Sequence, residues 1–198
     1  MKIYLNFYKM IRIGILGDMG SGKSYVANNF GYPVFNADNE VSKLYKKDKK
    51  IFRKLNKKLP NHILSFPIDK LEVTKAILIN KSNLKKIIKI VHDEIRKKMK
   101  LFIKKNKNKK IVVLDIPLLL ENKINNKSDI LVFVESRKEE IEKRIKKRLN
   151  FNRRLFKKFK KIQYSKSYKK KKSHFIIKNN FTKKSVKKGI RNILDKIQ

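Results

Sequence analysis

The apolar run Ile11-Arg12-Ile13-Gly14-Ile15-Leu16 feeds directly into Gly17-Asp18-Met19-Gly20-Ser21-Gly22-Lys23-Ser24. Short apolar runs that end in glycine have the pattern of a buried parallel strand. The residues after Ser24 read as a helix, so the glycine-rich turn sits between strand and helix. Gly17, Gly22, Lys23 and Ser24 complete the pattern G-x-x-x-x-G-K-[ST] in the context that the pattern requires. Each residue type answers a physical need. Glycines let the backbone curl with its N–H groups pointing inward, toward phosphate oxygens, and the helix adds its positive end. Lysine at 23 sets a cation against the β- and γ-phosphates, and serine at 24 offers a hydroxyl to Mg²⁺. A chance glycine turn needs neither side chain. The stretch reads as a nucleotide phosphate loop, with Gly17, Gly20, Ser21, Gly22, Lys23, Ser24 and Tyr25 as candidate nucleotide contacts.

The rest of the chain alternates strand and helix patterns. Residues 23–30 predict a short helix closed by Gly31, with Pro33 behind it. Residues 33–38, PVFNAD, read as a second strand, 110–115 as a third, 129–135 as a fourth and 174–179 as a short last one. Leu84, Ile87, Ile88, Val91, Ile95, Met99 and Phe102 recur at helical spacing and predict a long helix over 84–103. Two prolines break residues 59–70 into loop. Residues 136–149 predict a charged helix with Ile141, Ile145 and Leu149 on one side, and 182–197 a closing helix. Strands that alternate with helices argue for an α/β fold, a parallel sheet covered on both faces.

Bulk properties exclude several classes. Among 198 residues there is no cysteine, so no disulfide framework and no thiolate metal site. His62, His92 and His174 are too few for a histidine-rich cage. No apolar run approaches the ~20 residues of a membrane helix. The N-terminal MKIYLNFYKM lacks the long apolar core of a signal peptide, and Met10, just before the first strand, is an alternative start. A cytoplasmic protein with no membrane partner is expected. The net charge of +39 suggests a polyanion partner. Yet the lysines spread along the whole chain, beside abundant Ile and Asn, as a lysine-biased composition would give. Non-specific nucleic-acid binding at low salt follows from charge alone; no specific nucleic-acid partner is expected.

Four further stretches carry candidate chemistry. Asp38 follows the second strand, and carboxyl ends of parallel strands face the ligand crevice. It is placed either to take a proton from an attacking hydroxyl or to cap a helix beginning near Asn39. Asp115 ends the third strand, as a second Mg²⁺ anchor or as a carboxylate bonded to a turn. Arg144 and Arg148 stand four apart on one helix face, where guanidinium forks suit phosphate or simply form a solvated basic face. His92 and Arg96 stand four apart on the long helix, and a lone histidine there serves a ligand or the packing.

Together these stretches resemble the dephospho-coenzyme A kinase family. The resemblance runs through Gly20–Ser24, Asn36-Ala37-Asp38, His92-Asp93-Glu94-Ile95-Arg96, Leu114–Glu121, Arg144 with Arg148, Gln163 and Ile177-Lys178-Asn179-Asn180, in that order. It implies a P-loop NTPase fold with a five-stranded parallel sheet. The nucleotide core would take about 10–39, 109–148 and 173–198, a helical substrate-binding insertion about 40–108, and a lid about 149–172. It implies an ATP- and Mg²⁺-dependent kinase that phosphorylates the ribose 3′-hydroxyl of dephospho-coenzyme A. Asp38 would then be the general base, with Lys23 and Arg148 as further catalytic groups. His92, Arg96, Leu118 and Arg144 would join Asp38 in binding substrate, and Ser24 and Asp115 would hold the metal. The chain departs from the family pattern at Asp18, Asn36 and Asp93, at His174 where an acid is usual, and at Phe181 where glycine is usual.

Overall fold

The computed structural model describes residues 10–147 and 151–198. All the strand runs enter one five-stranded parallel sheet in the order β2-β3-β1-β4-β5. Its strands are β1 (Ile11–Gly17), β2 (Val34–Asn36), β3 (Ile111–Asp115), β4 (Ile130–Glu135) and β5 (Phe175–Lys178). The strands that flank β1, β3 and β4, are buried along almost their whole length, as expected of a sheet covered on both faces. Register pairs Asn36 with Asp115, Gly17 with Val134 and Glu135 with Lys178. The polar strand ends are therefore aligned along one edge. With β1 between β3 and β4, the strand order reverses beside β1, where such sheets leave a ligand crevice.

The helices are α1 (Lys23–Asn28), α2 (Ala37–Lys47), α3 (Lys49–Lys58), α4 (Lys70–Ile79), α5 (Lys81–Lys105), α6 (Lys138–Lys146), α7 (Arg153–Ile162), α8 (Lys166–Lys171) and α9 (Lys183–Ile197). Against the sheet, α1 buries Val26 and Ala27, and α9 buries Val186, Ile190, Ile193 and Ile197. The last four follow helical spacing, so one apolar stripe fixes the face that α9 turns inward.

By its contacts the chain forms two compact units. One lies within Met1–Asn36, Ile103–Phe151 and Ile162–Gln198 and contains the sheet. The other lies within Ala37–Phe102 and Asn152–Lys161 and is helical. In the helical unit, Asp48 caps α3 by accepting from the N–H groups of Lys50 and Ile51, and Asp69 caps α4. Lys158 of α7 donates to the carbonyls of Ile77 and Leu78, at 2.7 and 2.9 Å, at the carboxyl end of α4. A cation there satisfies carbonyls that have no partner within their own helix. Residues 152–161 group with the helical unit and 162–172 with the sheet unit.

Several boundaries differ from the pattern reading. Strand β2 stops at Asn36, and Ala37 and Asp38 already belong to α2. Helix α1 stops at Asn28 with Asn29 as its cap, so Gly31, at φ 77°, shapes the turn beyond rather than closing the helix. The long helix starts at Lys81, because polar Lys81-Ser82-Asn83 is helical although it lacks apolar periodicity. Its Asn83, buried, reaches back to the carbonyl of Ala76 at 3.0 Å. Leu149 and Arg148 lie outside the described residues.

His174 ties the chain entering β5 to β4. Its Nδ1 accepts the N–H of Leu131 at 2.9 Å, and its own N–H donates to the Leu131 carbonyl at 2.8 Å.

Arg12 and Asp129 tie β1 to the start of β4. Arg12 Nη2 donates to Asp129 Oδ2 at 3.0 Å, and Nε stands 3.0 Å from Oδ1. The Asp129 side chain has no solvent exposure. Burial raises its pKa above the ordinary carboxylate value, against the hydrogen bond from Asn126 N–H and the Arg12 charge, which lower it. Removing the cation from a buried pair strands the anion. We expect Arg12→Met to lower unfolding free energy by about 3–5 kcal/mol, measured by urea denaturation.

Candidate active site

The loop after β1 is held open by its neighbours. Gly22 has φ 89°, and a Cβ there would stand 2.5 Å from Asn179 Nδ2. Gly17 has φ 150°, and a Cβ would stand 2.6 Å from Ser21 Oγ and 2.9 Å from the Val134 carbonyl. Both positions therefore need glycine for space as well as for dihedral angle. Ile145 of α6 packs against Gly20. The Ser21 carbonyl accepts from Ser136 Oγ and from Asn179 Nδ2, each at 2.9 Å. Lys23 turns back over the loop, donating to the carbonyls of Gly17 at 3.2 Å and Asp18 at 2.9 Å. Its ammonium is thus preset above the loop. Ser24 and Tyr25 follow it in the first turn of α1, both exposed.

The carboxylate of Asp18 does not lie against the Lys23 ammonium. It pairs with Lys169 of α8, Nζ to Oδ1 at 2.6 Å. A cavity beside the loop is lined by Gly17, Lys23, Leu118, Glu121, Gln163 and Lys169 among others. Leu118 carries a left-handed backbone, φ 57°, a strained state for a γ-branched residue and one that concentrates at functional sites. Glu121 accepts the N–H of Tyr164 at 2.8 Å, which fastens the segment bearing Gln163.

Asp115 is buried at the end of β3, and its Oδ2 accepts from Asn36 Nδ2 at 2.6 Å. The carboxylate is thus bonded across the sheet to the neighbouring strand, not to a turn. An acid at 36 would bring a second carboxyl group to that distance, with no N–H to give; the Asn36 amide donates to Asp115 instead.

Arg144 lies with its guanidinium 4.2 Å from the ring centroid of Phe181, a cation–π contact. Phe181 has φ 63°, so it adopts the conformation that the family's glycine would favour. Its N–H donates to Asn179 Oδ1 at 2.8 Å, which holds the turn in place.

In the helical unit, Asp38 is the second residue of α2, exposed in its first turn, two positions past that of a cap. His92 and Arg96 share α5, His92 half-buried and Arg96 exposed. Arg148 lies outside the described residues. Sequence reasoning missed Lys169, Ser136 and Asn179 as site residues. Asn179 stands in the stretch Ile177-Lys178-Asn179-Asn180 that carries the resemblance, which was the available signal; Lys169 looks like its three lysine neighbours until its burial is known.

A family model described as dephospho-CoA kinase matches residues 11–185. This chain belongs to the dephospho-CoA kinase family. It is accordingly an ATP-dependent kinase, a transferase. The dephospho-CoA kinase of Wolbachia pipientis wMel is 34% identical over 190 residues, covering 93% of this chain and 97% of that protein. The Rickettsia typhi dephospho-CoA kinase is 30% identical over 192 residues, covering 96% and 98%. A solved dephospho-CoA kinase from Campylobacter jejuni shares the fold at a TM-score of 0.59 and 23% identity, over 94% of this chain and 97% of that one. TT1252 from Thermus thermophilus shares it at 0.78 and 22%, over 96% and 99%. Among the described residues, no helix is long and apolar enough to cross a membrane.

Burial lowers the His92 pKa below the ordinary imidazole value, the Arg96 charge lowers it further, and Asp93 opposes both. The folded chain therefore resists protonating His92, while the unfolded chain takes the proton near the usual ~6.5. Stability from this group is complete above that value and declines as pH falls through it toward the lowered folded value. We expect His92→Gln to flatten this acid-side slope, read from urea midpoints between about pH 5 and 8.

Proposed function

We propose that this kinase transfers the γ-phosphoryl group of ATP to the ribose 3′-hydroxyl of dephospho-coenzyme A, giving coenzyme A and ADP. The observation that carries the reading is the preset phosphate loop, with the Lys23 ammonium fixed over it by two carbonyls and opening on a cavity that Leu118 lines. Backbone N–H groups of residues 17–24 bind the β- and γ-phosphates, and Lys23 follows the charge as it moves to the β-phosphate. Because the Ser21 carbonyl is bonded on its outer side, the loop needs little rearrangement when phosphate arrives.

The donors present suit Mg²⁺. The Ser24 hydroxyl and the Asp115 carboxylate are hard oxygen ligands, and Mg²⁺ commonly takes only one or two from protein, filling the rest with phosphate and water. Asp115 is held in one orientation by Asn36. Bound Mg²⁺ supplies charge neutralisation on the β- and γ-phosphate oxygens.

Asp38 is assigned as general base. The 3′-oxygen forms a bond to the γ-phosphorus, the bond from that phosphorus to the β,γ-bridging oxygen breaks, and the hydroxyl proton goes to the Asp38 carboxylate. His92 and Arg96 are assigned to the acceptor. Arg144, whose guanidinium already lies over the Phe181 ring, is assigned to the substrate as well, and Arg148 to the charge on the phosphoryl group as it moves. The reaction is placed in the cytoplasm, with no specific nucleic-acid partner.

The test is ADP release from Mg-ATP with dephospho-coenzyme A set against AMP, CMP, UMP and single-stranded DNA. Release driven by dephospho-coenzyme A alone, with coenzyme A as product, is expected; release driven by a monophosphate or DNA overturns the acceptor. Asp38→Asn is expected to cut turnover at least ~100-fold while ATP affinity stays close to that of the parent, and equal loss of both assigns Asp38 to structure. Lys23→Ala is expected to abolish turnover with every acceptor.

A further inference from the structure

Of the lysine run Lys169–Lys172, only Lys169 is buried. Its side chain is 4% exposed, and α8 aims it at the phosphate loop. Lys170 and Lys166 bond Glu135 at the end of β4, at 3.2 and 2.9 Å, so α8 is fixed to the sheet from a second side. Asp18 thereby carries two ammonium groups. Its main-chain carbonyl accepts from Lys23, and its carboxylate pairs with Lys169. Both lysines line the same cavity. The acid that lines that cavity, Glu121, is engaged with the Tyr164 N–H.

A buried ammonium needs an anion close by. Asp18 supplies one, and the Asp18 side chain is itself 38% exposed, so water can solvate it if the lysine leaves. Phosphates in the loop bring more negative charge than one carboxylate, and they repel that carboxylate. The ammonium then gains by moving from Asp18 to phosphate.

We propose that Lys169 is a second phosphate-binding cation of this chain, and that Asp18 is the counter-ion that keeps its ammonium at the loop while no nucleotide is bound. The proposal rests on the phosphate-loop reading above. It assigns the Asp18 substitution a role: the carboxylate stores a cation at the loop and competes weakly with ATP for it.

The test is calorimetric titration of the full chain with ATP and with adenosine. Lys169→Met is expected to weaken ATP binding about 10- to 100-fold, the loss of one charge-assisted contact, and to leave adenosine binding within about 2-fold. Asp18→Asn is expected to tighten ATP binding several-fold, and that gain should vanish when Lys169→Met is also present. ATP affinity unchanged in Lys169→Met overturns the proposal. So does equal weakening of ATP and adenosine, which would make Lys169 only a fastener for α8. If Lys169→Met shows no cooperative melt, Asp18→Asn alone decides: unchanged or weaker ATP binding overturns the proposal. Lys23→Ala separates the two readings. If it leaves ATP binding intact, the phosphate-loop assignment fails; if it abolishes binding while Lys169→Met binds normally, only the role of Lys169 fails.

Discussion

A loop that presents its N–H groups to an anion must send its carbonyls outward, and outward carbonyls need donors. In this chain the Ser21 carbonyl finds two, Ser136 Oγ from the residue after β4 and Asn179 Nδ2 from the residue after β5. Those two residues stand where they do because β4 lies beside β1 and β5 beside β4. The sheet order thus reaches the site through one oxygen atom. The rest of the loop geometry, the glycines at 17 and 22 and the backward turn of Lys23, fits around that anchored peptide.

Acidic groups are scarce in this chain, 16 against 55 lysines and arginines, and several of the described ones hold particular partners. Asp129 faces Arg12, Glu135 bridges Lys166 and Lys170, Glu121 takes a backbone N–H, and Asp48 and Asp69 cap helices. The hydrogen bond from Lys166, above all, holds the Glu135 carboxyl below its usual value; burial opposes it, and Lys170 adds to the lowering. In so basic a chain an acid is positioned by whichever cations the fold brings nearest. Excess lysine mostly faces water, where spreading limits mutual repulsion.

Much of the fold was legible because apolar periodicity is a strong signal. Strands Ile111–Asp115 and Ile130–Glu135 are nearly continuous apolar runs, and α9 repeats its apolar residues at helical spacing. The phosphate loop was legible because its residue types are demanded by local geometry. Boundaries were less so. Asn36-Ala37-Asp38 looks like the end of a strand, yet β2 has only three residues, since pairing with β3 stops at Asp115. The function of Lys169 was not legible at all, because adjacent identical residues differ only in which way a helix turns them. Likewise, Phe181 looked like a disruption of a glycine turn, whereas Asn179 enforces the turn from outside.

Asn179 uses both ends of one amide, giving its N–H to Ser21 and receiving the N–H of Phe181. Because Phe181 sits in a left-handed conformation that costs an ordinary residue roughly 1–2 kcal/mol, the turn from β5 to α9 is sprung, and this amide is its catch. Any shift of the phosphate loop that frees the Asn179 side chain also frees the turn to relax, and with it the aromatic ring under Arg144. Two places separated by more than 150 residues of chain are therefore joined through a single side chain.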